Sequence, residues 1–369
     1  MGPLFVGLMS GTSLDGVDGV LAEVSADGLH VLSHAFRPMP AALRVELLRL
    51  NTPGHDEIHR AALAANALMR EYAAVVAQVL AQAEIEPASV TAIGAHGQTV
   101  RHQPQAFDGT GYTLQLCQPS LLAELTGIAV CADFRSRDVA AGGQGAPLAP
   151  FFHRAWLGAA GRTIGVLNIG GISNLSLLRS DGSLLGFDCG PGNALMDGWC
   201  ELHLGLPFDR DGAWAAGGRV LPSLLQDLLA DPYFSRPPPK STGRDLFHRD
   251  WLETHLSRHG AVAAHDVQAT LAELTARCCA QDVTRHQPGL DALVVCGGGA
   301  LNSHLMSRLA HLLPGTTVQS SAARGLPPLQ VEAAAFAWLA ARTVAGEPLP
   351  LESITGARGA RVLGGIYPA

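Results

Sequence analysis

Apolar positions alternate with polar ones in two stretches of the chain that share one order. Residues 4–9 form a first apolar run, a Ser/Gly/Thr turn follows, and residues 17–24 form a second. Asp27-Gly28 then leads to a third run at 29–35, and Asp-Gly between apolar runs predicts a hairpin. Around residue 163 the order returns: strands are expected at 163–168, 173–178 and 184–188, with turns at Gly170-Gly171 and Asp181-Gly182. Two three-stranded meanders, each opening one half of the chain, predict an internal duplication. Pattern carries this reading, because identity between the copies is low.

Helices are expected after each meander. Residues 56–83 carry Ile58, Ala62, Ala65, Met69, Tyr72, Val76 and Leu80 at three-to-four spacing, the signature of an amphipathic helix. Residues 90–95 and 128–132 read as short strands, and residues 120–126 as a short helix. In the second half, helices are expected at 266–286, 302–312 and 330–345, with a buried strand at 292–296. Meanders followed by strand–helix alternation predict α/β halves with mixed sheets. The division expected is 1–140 plus 345–369 for one domain and 141–344 for the other. The proline-rich stretch 232–239 reads as a surface loop within the second half.

A length of 369 residues suits two domains of ordinary size. Hydrophobic residues are 47% and aromatics 5%, so Ala, Leu and Val must fill the core. A net charge of −7 argues against a nucleic-acid surface, which needs clustered basic side chains. Lys240 is the only lysine, so 24 of the 25 basic residues are Arg. That excludes a Walker-type phosphate loop, whose lysine must follow a glycine-rich turn; Lys240 follows three prolines. Seven cysteines without a Cys-x-x-Cys spacing read as buried reduced thiols of a cytoplasmic protein. The start Met1-Gly2-Pro3-Leu4-Phe5 does not read as a signal peptide, and no uncharged apolar stretch reaches the roughly 18 residues of a membrane span.

Three glycine-rich turns could meet a nucleotide. The first runs through Gly11, Thr12, Ser13, Leu14, Asp15, Gly16, Val17 and Asp18; small and hydroxylated residues there let the backbone approach a phosphate, with Asp15 a candidate magnesium ligand. The second is Asp188-Cys189-Gly190-Pro191-Gly192-Asn193, in which Asp188 ends the third strand of the second meander. Equivalent turns on two halves would grip phosphates from both sides of a cleft. The third is Gly297-Gly298-Gly299 after a buried strand, suited to an adenosine lying on bare backbone but lacking a dinucleotide fingerprint. His96-Gly97-Gln98-Thr99 suits sugar hydroxyls, and Arg135 and Arg137 suit a carboxylate. His55 and His59 have a metal-like spacing without a third ligand, and read as solvated.

Taken together these motifs resemble the anhydro-N-acetylmuramic acid kinase family. The resemblance rests on Met9-Ser10-Gly11-Thr12-Ser13-Leu14-Asp15-Gly16-Val17-Asp18, Gly94-Ala95-His96-Gly97-Gln98-Thr99 and Asp133-Phe134-Arg135-Ser136-Arg137-Asp138. It continues through Gln144-Gly145-Ala146-Pro147-Leu148, Asn168-Ile169-Gly170-Gly171-Ile172-Ser173-Asn174 and residues 188–193. The first of these motifs is the most specific. The family commonly has threonine where Cys189 stands.

The resemblance implies two ribonuclease-H-like domains of the actin and hexokinase fold around a central cleft. It also implies ATP and magnesium, and a reaction that hydrolyses the 1,6-anhydro bridge of the sugar and phosphorylates its 6-oxygen. Asp188 would be the base, residues 11–18 with Gly190, Gly192 and Gly297 to Gly299 would bind the nucleotide, and Asp15 the metal. His96, Gln98, Thr99 and Glu332 would touch the sugar, and Arg135 or Arg137 its lactyl carboxylate. A cytoplasmic homodimer is implied, with no nucleic-acid or membrane partner. A kinase for another amino sugar, or a non-catalytic ATP-dependent sugar sensor on the same fold, would share much of this pattern.

Overall fold

The computed structural model describes residues 2–11, 13–25, 28–243 and 246–369. Thr12 and Asp27, both singled out in the sequence, lie outside the described residues.

The chain divides into two compact units, residues 1–156 with 330–369 and residues 157–329. In the first, β1 (Leu4–Met9), β2 (Gly16–Ser25) and β3 (Gly28–Pro38) form an antiparallel meander. β4 (Val90–Ala95) runs parallel to β1, and β7 (Val130–Ala132) runs parallel to β4. Between them in sequence, β5 (Gln98–Pro104) and β6 (Gly111–Leu116) pair as a separate hairpin. β13 (Gly365–Tyr367) completes the edge antiparallel to β7, giving the order β13-β7-β4-β1-β2-β3.

The second unit repeats the order. β8 (Ile164–Ile169), β9 (Ile172–Leu178) and β10 (Leu184–Pro191) form the meander, and β11 (Ala292–Cys296) and β12 (Thr317–Ser320) add in parallel beyond β8. Its order β10-β9-β8-β11-β12 matches β3-β2-β1-β4-β7 strand for strand. This is the ribonuclease-H-like order used twice, the arrangement of the actin and hexokinase fold. The expected duplication is therefore present as topology.

Each core lies between sheet and helix. In the first unit the helix Glu57–Ala83 buries Ala65, Met69, Tyr72, Val76 and Leu80 against β2 and β3. Ile58 and Ala62, expected on the same stripe, are exposed. The helix Val331–Val344 packs on β1, β2 and β4. Gly7 and Gly94 make that docking possible: a Cβ on either would sit 1.9 Å from the Ala333 carbonyl oxygen or 2.0 Å from that of Phe336. In the second unit the helix Ala264–His286 covers β9 and β10 and is buried along most of its length.

Two expectations change here. Residues 141–156 and 330–344 belong to the first unit, not the second, because the last long helix packs on β1 and β4. The stretch 232–239 is also more than a surface loop. Its prolines are largely exposed, but Tyr233 and Phe234 are buried at 3% and 8% exposure, and in the core Phe247 meets Tyr233 edge to face and stacks with Phe234.

Candidate active site

In the first unit the turn between β1 and β2 is shorter than the motif. β2 starts at Gly16, so Gly16, Val17 and Asp18 are strand residues. Val17 and Leu14 are buried in the core and offer a ligand only their backbone. Asp18 is engaged by His34 Nε2 at 3.1 Å, and burial raises its pKa. Asp15 is exposed; its Oδ1 accepts from the Ser13 hydroxyl at 2.7 Å and from the Gly16 N–H at 3.1 Å. No described hydrogen bond uses Oδ2, so one oxygen remains to meet a hard cation. Among the described residues no group of three or more His, Cys, Asp or Glu could hold a metal. A magnesium ion at Asp15 would accordingly take its other ligands from phosphate and water, as it usually does.

Beside this turn lies a connected polar cluster. Gln98 Nε2 donates to the Gly11 carbonyl at 3.1 Å, tying β5 to the turn, while its Oε1 is buried without a hydrogen bond. The Ser10 hydroxyl bonds Tyr72 at 2.9 Å and the Gly97 carbonyl at 3.1 Å. His96 Nδ1 lies 2.7 Å from the same carbonyl, and Nε2 accepts from Arg135 at 3.0 and 3.2 Å. With Arg135 donating to Nε2, the proton sits on Nδ1 and the ring is neutral. Burial first, and the Arg135 charge second, push its pKa down to about 3.

Arg135 also donates to the Gly145 carbonyl at 2.8 Å, so its guanidinium is fixed before any ligand arrives. Arg137 is exposed. Thr99 Oγ1 accepts from Gln115 at 3.2 Å across the β5–β6 hairpin. Glu332 is exposed on the first turn of its helix, one turn before Phe336, whose ring lies 4.8 Å from that of His96. The six sugar-contact candidates thus all lie in the first unit.

The base candidate and the other glycine turns lie in the second. Asp188 is half-buried within β10 rather than at its end, at a bulge between Asp188 and Gly190. Its Oδ2 accepts from the Thr242 N–H at 3.0 Å, its N–H donates to the Lys240 carbonyl at 3.1 Å, and its carbonyl accepts from the Tyr233 hydroxyl at 2.8 Å. Cys189, the neighbour, turns its thiol into the core beside Cys278 and Cys279, where burial raises its pKa. All seven cysteines are free thiols.

Gly192 and Gly297 to Gly299 pack against residues 168–172 and Asn193, whereas Gly190 packs against Phe234 and Cys278. A Cβ at Gly192 would lie 2.2 Å from the Gly170 carbonyl oxygen; one at Gly297, where φ is +75°, would lie 2.4 Å from Asn168 Oδ1. A Cβ at Gly298 would lie 3.3 Å from Asn193 Nδ2. Three turns thus pack together here, and glycine is required at 192 and 297 because the protein's own atoms take the space of a side chain. Asn193 and Asn168 frame that place, and Asn168 Oδ1 is buried without a hydrogen bond. Neither asparagine was singled out as a site residue, although both stand inside motifs that were. Thr242 and Lys240 carried no local signal for a role beside Asp188.

His55 and His59 do not share a helical face, since the helix begins at Glu57, and both are exposed.

Comparison with known proteins places the whole chain in one family. The family described as anhydro-N-acetylmuramic acid kinase matches residues 3–369. The anhydro-N-acetylmuramic acid kinase of Variovorax paradoxus is 63% identical over 373 residues and covers 100% of both chains. That of Albidiferax ferrireducens is 60% identical, again over 100% of both chains, and that of Pseudomonas putida is 52% identical over 99% of each. Among solved structures, component A of the (R)-2-hydroxyglutaryl-CoA dehydratase of Acidaminococcus fermentans overlaps 91% of this chain and 96% of its own at 12% identity, with a TM-score of 0.49. The chain belongs to the anhydro-N-acetylmuramic acid kinase family.

Proposed function

We propose that this chain uses ATP and water to convert 1,6-anhydro-N-acetylmuramic acid to N-acetylmuramic acid 6-phosphate and ADP, in the recycling of cell-wall sugar. One observation carries the reading: a carboxylate, Asp188, held through backbone and side chain at a strand bulge immediately before glycine turns. A general base must be placed before its basicity matters.

Asp188 takes a proton from a water that attacks the anomeric carbon. The bond from that carbon to the bridging 6-oxygen breaks, and the 6-oxygen takes the γ-phosphoryl group as the bond to ADP breaks. The glycine turns of residues 190–192 and 297–299 and the motif of residues 11–18 bind the nucleotide, a task of positioning and charge stabilisation. Asp15 would hold a magnesium ion, which would neutralise phosphate charge.

On the sugar, neutral His96 with Gln98, Thr99 and Glu332 meets hydroxyl and amide groups. Arg135 or Arg137 pairs with the lactyl carboxylate; the fixed guanidinium of Arg135 loses less freedom on binding. A cytoplasmic homodimer without nucleic-acid or membrane partners completes the reading. No described helix is long and apolar enough to cross a membrane.

The test is ADP release with magnesium-ATP in the presence of candidate sugars. Release is expected with the anhydro sugar, yielding a product heavier by one water and one phosphoryl group. Phosphorylation of glucosamine with none of the anhydro sugar would overturn the substrate, and ATP binding without any ADP release would point to a sensor.

A further inference from the structure

Lys240, the only lysine of the chain, is buried. Its side chain is 2% exposed and that of Asp282 is 4% exposed, with Nζ 2.9 Å from Asp282 Oδ2. Nζ also lies 5.5 Å from the Phe187 ring centre and 5.1 Å from that of Tyr233. Arg285 and His286 approach the same carboxylate only at 3.9 and 3.8 Å. A buried ion pair adds little to stability, because removing two charges from water cancels much of their attraction. An apolar pair of similar volume would hold the fold equally well. Direction is what the ion pair adds.

That direction bears on Asp188. The Lys240 carbonyl accepts the Asp188 N–H, and two residues later the Thr242 N–H reaches the Asp188 carboxylate at 3.0 Å. Pro237, Pro238 and Pro239, just before, have no N–H with which to knit this segment to a strand. The Lys240 side chain ties it instead to the helix Ala264–His286, which carries Asp282.

We propose that Lys240, through its ion pair with Asp282, is a positioning residue that fixes the Asp188 carboxylate by holding the Thr242 N–H against it. The proposal rests on the reading of Asp188 as the base. It assigns the pair to placement of the base, not to the strength of the fold.

The test is the double substitution Lys240→Met with Asp282→Leu, which removes both charges and keeps an apolar filling. Amide exchange at Thr242 and Asp188 should quicken at least about tenfold while the helix Ala264–His286 keeps its protection. The kcat for ADP release should fall about ten- to a hundredfold with the KM for ATP unchanged. Unchanged exchange at Thr242, or a kcat equal to the wild type's, overturns the proposal. Loss of protection throughout the helix also overturns it, because the pair would then be structural. A wild-type protein that releases no ADP with the anhydro sugar would count against the proposed reaction, and the exchange measurement would still decide the anchor.

Discussion

His96 is 5% exposed, between the Arg135 guanidinium and the Phe336 ring. With its pKa pushed down to about 3, it carries no charge at neutral pH and serves as a fixed donor–acceptor. His153 is lowered to about 3 and His102 to about 4, each mainly by burial. In the unfolded chain all three would titrate near 6.5. The unfolded state then binds protons that the folded state refuses. Their contribution is therefore full above about pH 6.5 and is lost as pH falls toward 3–4. For His96 the loss at pH 5 is about 2 kcal/mol. Melting temperature followed from pH 7 to 5 should fall, and His96→Gln should make that fall shallower; an unchanged slope would show that the ring is protonated in the folded protein. Asp188 was legible in the sequence because an acid stood between a strand and two glycines. Lys240 was not, because its partner lies 42 residues away and a lysine after three prolines looks like surface.

At the scale of elements, both meanders and most helices could be read from apolar alternation and three-to-four spacing. The hairpin of β5 and β6 could not. Its residues 98–104 are mostly polar, and a bulge between Thr99 and Arg101 breaks the alternation that marks a strand. The bulge at Asp188 and Gly190 hid the end of β10 in the same way. Docking of the helix Val331–Val344 was equally silent, although it dictates glycine at positions 7 and 94. Gly7→Ala or Gly94→Ala would drive a methyl into a helix carbonyl, and helix and sheet would have to separate. Each should cost about 3 kcal/mol or more, read as a lower denaturation midpoint. A midpoint within error of the wild type would contradict the close packing of this helix on β1 and β4.

At the scale of the molecule, one topology is used twice for different work. The first unit holds the sugar-contact candidates and Asp15; the second holds Asp188 and the glycine turns. The duplication was legible because pattern outlives identity. The division between units was not, because an Ala-rich helix buried nearly all round has no polar face to say which sheet it covers. Since the first unit closes with residues 330–369, a chain ending at Leu329 should lose amide protection across β1 to β4 while β8 to β11 retain theirs. Protection retained in both would contradict this division.

Asp188 is proposed as the base of a reaction that begins with water. Asp188→Asn keeps the volume and the Thr242 contact but removes the basicity. Calorimetry should find ATP bound as in the wild type, while ADP release with the anhydro sugar should fall by at least about a thousandfold. ADP release at the wild-type rate from Asp188→Asn would contradict the account.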